Sequence, residues 1–334
     1  MSVMVTGGAG FIGQALVRQL LAAGERVVTV DALTYAGSRD NLAGVLDHPA
    51  HRFVAADIAD GAAMGALFAA ERPAALYHLA AESHVDRSIA QPAPFLATNI
   101  MGTATLLEAV LDYWRRLDEA AARGFRFLQV STDEVYGALG PEGRFAETSP
   151  YRPNSPYAAS KAAADHLARA WQRTYGLPVL ISNGSNTYGP RQFPEKLIPR
   201  MVLDARAGRA LPVYGRGENV RDWMHVEDHA AALRLICARG RVGETYLVGA
   251  RNEQRNIDLV ERICALLDEM RPEGAPHRRL IRFVADRPGH DARYAVDPAK
   301  IEGELGFRPQ RDFAAGLRET VRWYLDHPAG LKDL

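Results

Sequence analysis

Tyr157 and Lys161 are the pair of side chains whose types and spacing point most directly to chemistry. They stand four residues apart in an alanine-rich, helix-like stretch, so both project from one face of a helix. A lysine ammonium near a phenol lowers the tyrosine pKa and makes a phenolate base available close to neutral pH. The spacing often occurs by chance, but here a strand ending at Thr132 precedes it. Because the Thr132 hydroxyl can hydrogen-bond a reacting hydroxyl group, we expect a hydride-transfer site.

A glycine string follows the first predicted strand, and it indicates where a dinucleotide would bind. Gly7, Gly10 and Gly13, with Phe11 and Ile12 between them, open a helix predicted from Phe11 to Ala23. Such glycines let the backbone approach a pyrophosphate, which then lies on the helix N-terminus. Asp31 ends the next strand, where a carboxylate accepts hydrogen bonds from a ribose and repels the extra phosphate of NADP, so the expected cofactor is NAD. Asp57 and Ile58 follow the third strand and are candidates for contact with adenine, although Asp57 equally suits a helix cap.

The elements that position these residues alternate in type along the first half of the chain. Short apolar runs occur at 3–5, 26–30, 52–55, 74–78 and 125–130, and helical stretches separate them. That order predicts an α/β fold with a doubly wound, parallel Rossmann sheet and a smaller C-terminal substrate-binding α/β region. We expect residues 1–185 to bind NAD and residues 186–334 mainly to bind substrate, with 226–250 returning to the Rossmann sheet. Beyond Gly189, prolines predict only short elements.

The composition narrows the classes of partner. The 40 basic and 40 acidic side chains give a net charge of zero, which argues against nucleic-acid and membrane partners. The two cysteines, Cys237 and Cys264, form no CxxC or Cys/His cluster, and a reducing cytoplasm fits them best. We expect no apolar run long enough to span a membrane, and a first strand that starts at Ser2 leaves no room for a signal peptide.

Several longer strings resemble one enzyme family. TGGAGFIG, Ser131-Thr132 and Tyr157-x-x-x-Lys161 are similar to the extended short-chain dehydrogenase/reductase superfamily. HLAAESHVDRS, STDEVYG, SPYAASKA, YGPRQFPEKLIP, RDWMHVEDH and DRPGHDARYA narrow the match to the nucleotide-sugar 4,6-dehydratases, most closely those that act on dTDP-glucose. The resemblance implies a lyase that uses bound NAD in an internal redox cycle and consumes none of it.

Asp133 and Glu134 separate the reactions known in this superfamily. By resemblance Glu134 is the base at sugar C5, Asp133 is the acid at the C6 oxygen, and Thr132, Tyr157 and Lys161 run the oxidation at C4. The related 4-epimerases carry small residues here, and the decarboxylases carry Thr-Ser-Glu. Two solvated loop acids would be the non-catalytic alternative. A 4-epimerase and a dehydratase that acts on a UDP-sugar remain the alternative functions.

The resemblance also assigns contact residues, a subunit arrangement and a compartment. Further cofactor contacts are expected at Leu79, Ala80, Ala81, Thr98 and Thr187. The nucleotide-sugar substrate is expected to contact Ser83, Thr132, Asn186, Lys196, Leu197, Pro212, Tyr214, Arg221, Asn256, Arg287 and His290. Two long helices, 95–116 and 155–175, suggest the family's four-helix interface, so a cytoplasmic homodimer is expected.

Four positions depart from the family pattern, and one histidine group is not assigned to a metal. Many members have Cys-Ser-Asn-Asn where this chain has Gly184-Ser185-Asn186-Thr187, and Arg191 and Arg251 also stand where other residues are expected. Because the first departure flanks substrate and cofactor contacts, the base and sugar stay open. His225, Glu227 and His229 are expected to form a structural network, since their spacing is not that of a zinc motif. No metal is expected.

Overall fold

One parallel sheet organises the protein. The computed structural model describes residues 2–327. Its strands are β1 (Ser2–Thr6), β2 (Arg26–Asp31), β3 (His51–Ala55), β4 (Pro73–His78), β5 (Arg126–Thr132), β6 (Val179–Gly184), β7 (Asn186–Tyr188), β8 (Leu211–Tyr214), β9 (Val220–His225), β10 (Thr245–Val248), β11 (Glu253–Arg255) and β12 (Ile281–Val284). Seven of these form the sheet β10-β6-β5-β4-β1-β2-β3, in which every neighbouring pair is parallel. The predicted doubly wound parallel sheet is therefore confirmed.

Twelve α-helices lie in the described residues. They are α1 (Phe11–Ala22), α2 (Gly61–Glu71), α3 (Val85–Ala90), α4 (Ala93–Phe95), α5 (Thr103–Trp114), α6 (Glu119–Gly124), α7 (Pro156–Tyr175), α8 (Leu197–Arg206), α9 (Val226–Arg239), α10 (Asn256–Met270), α11 (Ala299–Leu305) and α12 (Phe313–Asp326). Of these, α1 and α9 cover one face of this sheet, while α2, α5 and α7 cover the other. Successive side chains of a strand point to opposite faces, so Val3 and Val5 join the apolar core under α1 and α9, while Met4 joins the core under α2, α5 and α7. Parallel strands buried on both faces need apolar residues throughout, which is the pattern of β1.

The later part of the chain builds a smaller assembly around its own core. β11, β9 and β7 form a three-stranded sheet, and β12 pairs with β8. The helices α8, α10 and α12 enclose a third apolar cluster that includes Met201, Leu259 and Tyr324. The expectation of only short elements beyond Gly189 was wrong, because α10 has 15 residues and α12 has 14.

The segment between β9 and β11 packs on the main sheet. β10 pairs with β6 from Thr245 to Val248, and α9 shares with α1 the core cluster that contains Leu20 and Leu233. The main sheet thus takes strands from both sides of position 185. The division of the chain into a cofactor region and a substrate region remains a prediction.

One continuous helical stretch, Ala93–Trp114, differs from the sequence expectation. Its 22 residues have a mean hydropathy of 1.3 over an 18-residue window, so by length and composition it is able to span a membrane. The expectation that no such run exists was wrong. In the fold 44% of that window is buried, and Leu106, Leu107 and Val110 belong to the core beneath α2 and α7. The helix is therefore a core element of the α/β fold. Residues Leu96–Gly102 form a π-helical segment within it.

Candidate active site

The carboxyl ends of the parallel strands converge on one cavity of about 380 Å³, the position at which open α/β sheets bind ligands. The turns and strand ends after β1, β2, β4 and β5 line it, together with α7 and the loop before α8. Predicted site residues that line this cavity are Gly7, Gly10, Phe11, Ile12, Gly13, Asp31, Asp57, Ile58, Leu79, Ala80, Ala81, Ser83, Thr98, Thr132, Glu134, Tyr157, Lys161, Asn186, Thr187, Lys196 and Leu197.

The glycine turn after β1 leaves no room for side chains. Gly7 has φ +70°, a left-handed conformation that favours glycine, and a Cβ there would lie 2.6 Å from the Ala80 backbone nitrogen. A Cβ on Gly13 would lie 2.2 Å from the Gly7 oxygen. The N-cap Gly10 offers no side-chain cap, and the first turn of α1 contains no acid. The first backbone N–H groups of α1 are therefore available to an anionic group at the cavity wall.

Asp31 ties two turns together at the end of β2. Its Oδ2 accepts a hydrogen bond from the Ala9 backbone N–H and its Oδ1 one from the Leu33 N–H, both at 2.9 Å. Burial raises the pKa of the Asp31 carboxyl, and these two hydrogen bonds oppose that shift. Since a carboxylate offers about four acceptor positions, Asp31 can hold both turns and still accept from a ribose.

Tyr157 and Lys161 reach the cavity from the first two turns of α7. Pro156 begins the helix, and the Ser155 side chain accepts a hydrogen bond from the Ala158 N–H, which fixes the N-terminus. Lys161 is 4% exposed and donates from Nζ to the Val130 carbonyl at 2.8 Å. Burial lowers the pKa of Lys161, and the negative charge of Asp165 raises it. The pKa of Tyr157 is not lowered as the sequence led us to expect: burial raises it well above its usual value, and the charge of Glu134 adds to that rise.

Asp133 and Glu134 occupy a short 3₁₀ turn that directly follows β5. The Thr132 hydroxyl donates to Asp133 Oδ1 at 3.3 Å, and the Glu134 N–H donates to the Thr132 hydroxyl at 3.3 Å. Asp133 is buried behind the cavity wall, and its Oδ2 has no partner among the described residues. Burial raises the pKa of Asp133 well above its usual value, and Glu134 and Asp222 raise it further.

Glu134 lies in a different electrostatic setting from its neighbour. Burial raises its pKa, but the charges of Arg221, Arg287 and Lys196 all lower it. The pKa values of both acids are therefore raised by burial, but the main neighbouring charges are anions at Asp133 and cations at Glu134, so the rise is opposed more strongly at Glu134. Such a separation suits one acid that stays protonated and one that ionises.

Six predicted substrate residues lie outside the lining of the main cavity. They are Pro212, Tyr214, Arg221, Asn256, Arg287 and His290. Arg221 is 5% exposed, its guanidinium donates to the carbonyls of Val220 and Asp291 at 2.8 and 2.9 Å, and it lies over the Tyr294 ring at 4.1 Å. Asn256 begins α10, and its Oδ1 is buried without a partner among the described residues. Pro212 pairs with Arg282 in the β8–β12 ladder.

Three of these residues meet around Asp86. The Tyr214 hydroxyl donates to Asp86 at 3.1 Å and Arg287 at 3.4 Å. His290 lies edge-on to the Tyr214 ring, with the ring centroids 5.9 Å apart, and bonds Asp286 at 2.6 Å. A phosphate that binds Arg287 must therefore compete with a single long contact to Asp86.

Three residues that were not expected from the sequence also lie in the cavity lining. They are Tyr35, Glu82 and Glu195; the Tyr35 hydroxyl lies 3.1 Å from Ser83 Oγ, and Glu195 lies 3.3 Å from His84 and 3.7 Å from Lys196. Burial raises the pKa of Tyr35, Glu82 and Glu195. Glu195 stands inside the quoted YGPRQFPEKLIP string, which was the available signal.

The departures at Gly184 and Thr187 are linked through His229. A Cβ at position 184 would lie 2.5 Å from Cε1 of His229, and the Nδ1 of the same ring lies 2.8 Å from the Thr187 hydroxyl. Burial lowers the pKa of His229 to about 4, so the ring is neutral near pH 7. Within residues 2–327 no His, Cys, Asp and Glu side chains form a cluster able to hold a metal ion.

Arg191 and Arg251, the other two departures, both have left-handed backbone conformations, with φ of +70° and +54°. Such conformations favour glycine. Arg251 pairs with Asp297 and Glu302, both at 3.1 Å, and Arg191 lies 5.6 Å above the Trp323 ring. At each position the side-chain contacts of the arginine therefore offset the strain of a left-handed backbone conformation.

Residues 4–320 match the protein family described as GDP-mannose 4,6 dehydratase. A probable dTDP-glucose 4,6-dehydratase of Sinorhizobium fredii is 57% identical over 327 residues, which cover 98% of this chain and 93% of the relative. The crystal structure of the dTDP-glucose 4,6-dehydratase of Streptomyces venezuelae, solved with NAD bound, superposes with a TM-score of 0.91 at 48% identity and covers 99% of both chains.

The fold alone does not separate neighbouring reactions. A UDP-glucose 4-epimerase of Thermus thermophilus, solved with NAD, superposes with a TM-score of 0.86 at 30% identity over 98% of this chain and all of that one. The choice among reactions therefore depends on side chains at the site.

Proposed function

The chain belongs to the family described as GDP-mannose 4,6 dehydratase, and from this membership we propose that it is an NAD-dependent hydro-lyase that converts dTDP-glucose to dTDP-4-keto-6-deoxyglucose. The observation that carries the reaction type is the pair Asp133 and Glu134 beside Thr132, with opposite charged surroundings. The name of the 57% identical relative supports dTDP-glucose as the substrate.

The cavity suits NAD by its own chemistry. The uncapped first turn of α1 offers N–H groups to a pyrophosphate, and Gly7 and Gly13 leave the backbone bare where a Cβ would clash. Asp31 is placed to accept from the adenosine ribose. When bound, NAD supplies the acceptor for hydride from sugar C4 and the donor of hydride to C6.

Two acid-base steps fall to the chain's own side chains. Tyr157 takes the proton from the C4 hydroxyl, with Thr132 as its hydrogen-bonding neighbour and Lys161 as the cation that favours the phenolate. The 4-keto group makes the C5 proton acidic. Glu134 removes that proton; burial raises its pKa, and the charges of Arg221, Arg287 and Lys196 oppose that rise.

Asp133 completes the elimination as the acid. Its burial and its anionic neighbours raise the pKa of its carboxyl, so a proton is available for the departing C6 hydroxyl. Expulsion of water across C5 and C6 follows. Because the intermediate is a reactive enone, the residues that close the cavity must also keep it from escaping into water.

The substrate assignments follow from charge and position. Arg221 and Arg287 are proposed to bind the diphosphate, since guanidinium groups bind phosphate oxygens in bidentate geometry. Lys196 and Glu134 both line the cavity, and the charge of Lys196 acts on Glu134, which suits Lys196 for binding the nucleotide sugar near the reacting atoms. The remaining proposed contacts with the nucleotide sugar are Ser83, Asn186, Leu197, Pro212, Tyr214, Asn256 and His290.

Mass spectrometry of the product tests the reaction. Purified protein, with the NAD it retains and no added oxidant or reductant, is incubated with dTDP-glucose. We expect a product lighter by one water molecule, and a deuterium placed at C4 is expected at C6. A C4 epimer of unchanged mass would replace the proposal with a 4-epimerase, and dehydration of a UDP-sugar in preference to dTDP-glucose would keep the reaction but change the substrate.

We further propose that the protein is a cytoplasmic homodimer. Leu96 and Met101, 46% and 63% exposed, lie on the helix Ala93–Trp114, and Tyr175, 43% exposed, ends α7. These are the two helices from which we expect the four-helix interface to be built. Light scattering tests it: wild type is expected to have twice the mass of one chain, and Met101→Glu is expected to shift the protein toward monomer.

The free, buried Cys237 and Cys264 suit a reducing compartment such as the cytoplasm, which cell fractionation tests.

A further inference from the structure

Asp165 continues the line of chemically important residues on α7. Tyr157, Lys161 and Asp165 are spaced by four residues each, so they lie along one face of the helix. The first two have roles in the proposed chemistry. The third is a carboxylic acid with no exposed surface, one helical turn beyond Lys161 and away from the substrate.

The contacts of Asp165 favour its ionised form. Its Oδ2 accepts from the Tyr151 hydroxyl at 2.9 Å and from Asn183 Nδ2 at 3.1 Å. Its Oδ1 has no hydrogen-bond partner among the described residues. An ionised carboxylate accepts only, and both neighbours donate. Asn183 is itself held in place, because its Nδ2 also donates to the Thr132 carbonyl at 3.2 Å and its Oδ1 accepts from Tyr136 at 3.3 Å.

Lys161 is the cation that this anion faces. The two side chains form no direct hydrogen bond, and Lys161 Nζ donates to the Val130 carbonyl instead. Asp165 is nevertheless the charge that raises the pKa of Lys161 against the effect of burial. Burial likewise raises the pKa of Asp165, and Lys161 is the charge that most opposes that rise. The relation is therefore reciprocal and acts through a buried region where charges interact strongly.

The other ionisable groups around this pair do not supply the same charge. Burial lowers the pKa of His78 to about 3, so it is neutral in the working range, and burial raises the pKa of Tyr136 and Tyr151. Arg169 donates to the Tyr151 hydroxyl at 3.2 Å. On the cavity side are Tyr157, Asp133 and Glu134, and Glu147 influences Tyr136.

We propose that Asp165 is the buried counter-ion of Lys161, a positioning residue that keeps the lysine protonated during turnover and thereby keeps Tyr157 active as the base. This role rests on the proposed function, because it needs Tyr157 to take the C4 proton. Without the anion, Lys161 loses its proton at a lower pH. The tyrosine then loses the cation that favours its phenolate, and C4 oxidation fails on the alkaline side of the pH profile.

The test is the pH dependence of substrate turnover and of enzyme-bound NADH formation, measured in neutral and charged variants. In Asp165→Asn and in the smaller Asp165→Ser, the alkaline limb is expected to move down by about one pH unit, the lower end of the effect of a nearby opposite charge. In Asp165→Glu, which keeps the charge, the limb is expected to stay at its wild-type position. The use of two neutral variants keeps the test decisive if one of them does not fold.

Asp228→Asn is the matched control. Asp228 is also a buried carboxylate, but it accepts from the backbone N–H groups of Gln310 and Arg311 at 2.9 and 3.0 Å. Its amide variant is expected to lower the melting temperature without moving the alkaline limb. If the neutral variants of Asp165 also lose only thermal stability and keep the wild-type limb, Asp165 is structural and the proposal is wrong.

A double-mutant comparison shows whether Asp165 affects the reaction rate through Lys161. In a Lys161→Met background, Asp165→Asn is expected to cause no further loss of rate, because the cation it serves is gone. A second loss of the same size would overturn the proposal. Bound NADH can be followed with any sugar nucleotide that the wild-type protein oxidises at C4, so failure on dTDP-glucose alone would count against the proposed substrate and not against the role of Asp165.

Discussion

Replacement of Asp31 by alanine is expected to change cofactor selectivity and stability together. The side chain is 8% exposed, and each of its oxygens accepts one backbone N–H, from Ala9 and from Leu33. The Ala9 N–H is buried, and a buried donor without a partner costs about 1–3 kcal/mol, whereas water can reach Leu33. We therefore expect Asp31→Ala to lower the free energy of unfolding by about 2 kcal/mol.

The effect on the cofactor adds to this loss. A charged acceptor that bonds the ribose contributes about 1.5–3 kcal/mol, which corresponds to a roughly ten- to hundredfold weaker affinity for NAD. The affinity for NADP is expected to fall less, because the repulsion between the Asp31 carboxylate and the 2′-phosphate of NADP disappears at the same time. The ratio of the two dissociation constants is thus expected to narrow by about tenfold or more.

Calorimetric titration of cofactor-stripped protein with NAD and NADP measures the ratio, and thermal unfolding measures the stability. Asp60→Ala is the control: Asp60 caps α2 through the Ala63 N–H at 3.0 Å and is exposed, so its loss lowers stability by about 1 kcal/mol without changing the ratio. If Asp31→Ala weakened the binding of NAD and of NADP equally, Asp31 would hold the two turns without contacting the ribose. The preference for NAD would then need another explanation.

Four further outcomes follow from the site and the backbone. Asp133→Asn and Glu134→Gln are each expected to cut turnover by about a hundredfold and still to show the absorbance of enzyme-bound NADH on mixing with substrate. Tyr157→Phe is expected to show almost no NADH absorbance. Dehydration at near wild-type rates by both amide variants would mean that these acids do not take part in the mechanism. The folded-state pKa of Asp133 is raised, so its ionisation destabilises the folded protein increasingly as the pH rises above the unfolded-state pKa. The melting temperature of Asp133→Asn is therefore expected to rise relative to that of wild type between acid and neutral pH. A difference in melting temperature that stays constant with pH would contradict a buried charge at this position. Catalytic efficiency for dTDP-glucose is expected to exceed that for UDP-glucose by about tenfold or more, and parallel initial-rate measurements with the two substrates decide this. Arg72→Gly is expected to raise the free energy of unfolding by about 0.5 kcal/mol, since Arg72, the C-cap residue directly after α2, has φ +45°. Chemical denaturation measures this change, and a loss of stability would mean that the contacts of the arginine side chain outweigh the backbone strain.

The sequence predicts the first half of the fold well because local patterns suffice there. Strands such as β1 and β2 are short apolar runs between helices, and a parallel sheet places all their carboxyl ends at one edge. This is why Thr132, Tyr157 and Asp31, which are distant in the chain, were expected together, and the structure brings them to one cavity. The assignment of roles to them stays a prediction until variants are measured.

The rest depends on packing that local patterns do not encode. β7, β9 and β11 have three, six and three residues and pair across long separations, so nothing local specifies their register. Tyr35 and Glu195 approach the cavity only because two loops pack together, where the Tyr35 and Phe193 rings meet edge-on at 5.6 Å. The π-helical segment likewise leaves no mark in an otherwise regular helical sequence.

The contact of Gly184, Thr187 and His229 also constrains how this chain can change over evolutionary time. A cysteine at position 184 needs the imidazole to move, since its Cβ would lie 2.5 Å from the ring, and that movement breaks the 2.8 Å bond between the ring and Thr187. Substitution at either position alone therefore passes through a less stable protein, whereas a joint change avoids the penalty. Substitutions at positions 184 and 187 are therefore expected to be strongly non-additive in their effect on the free energy of unfolding.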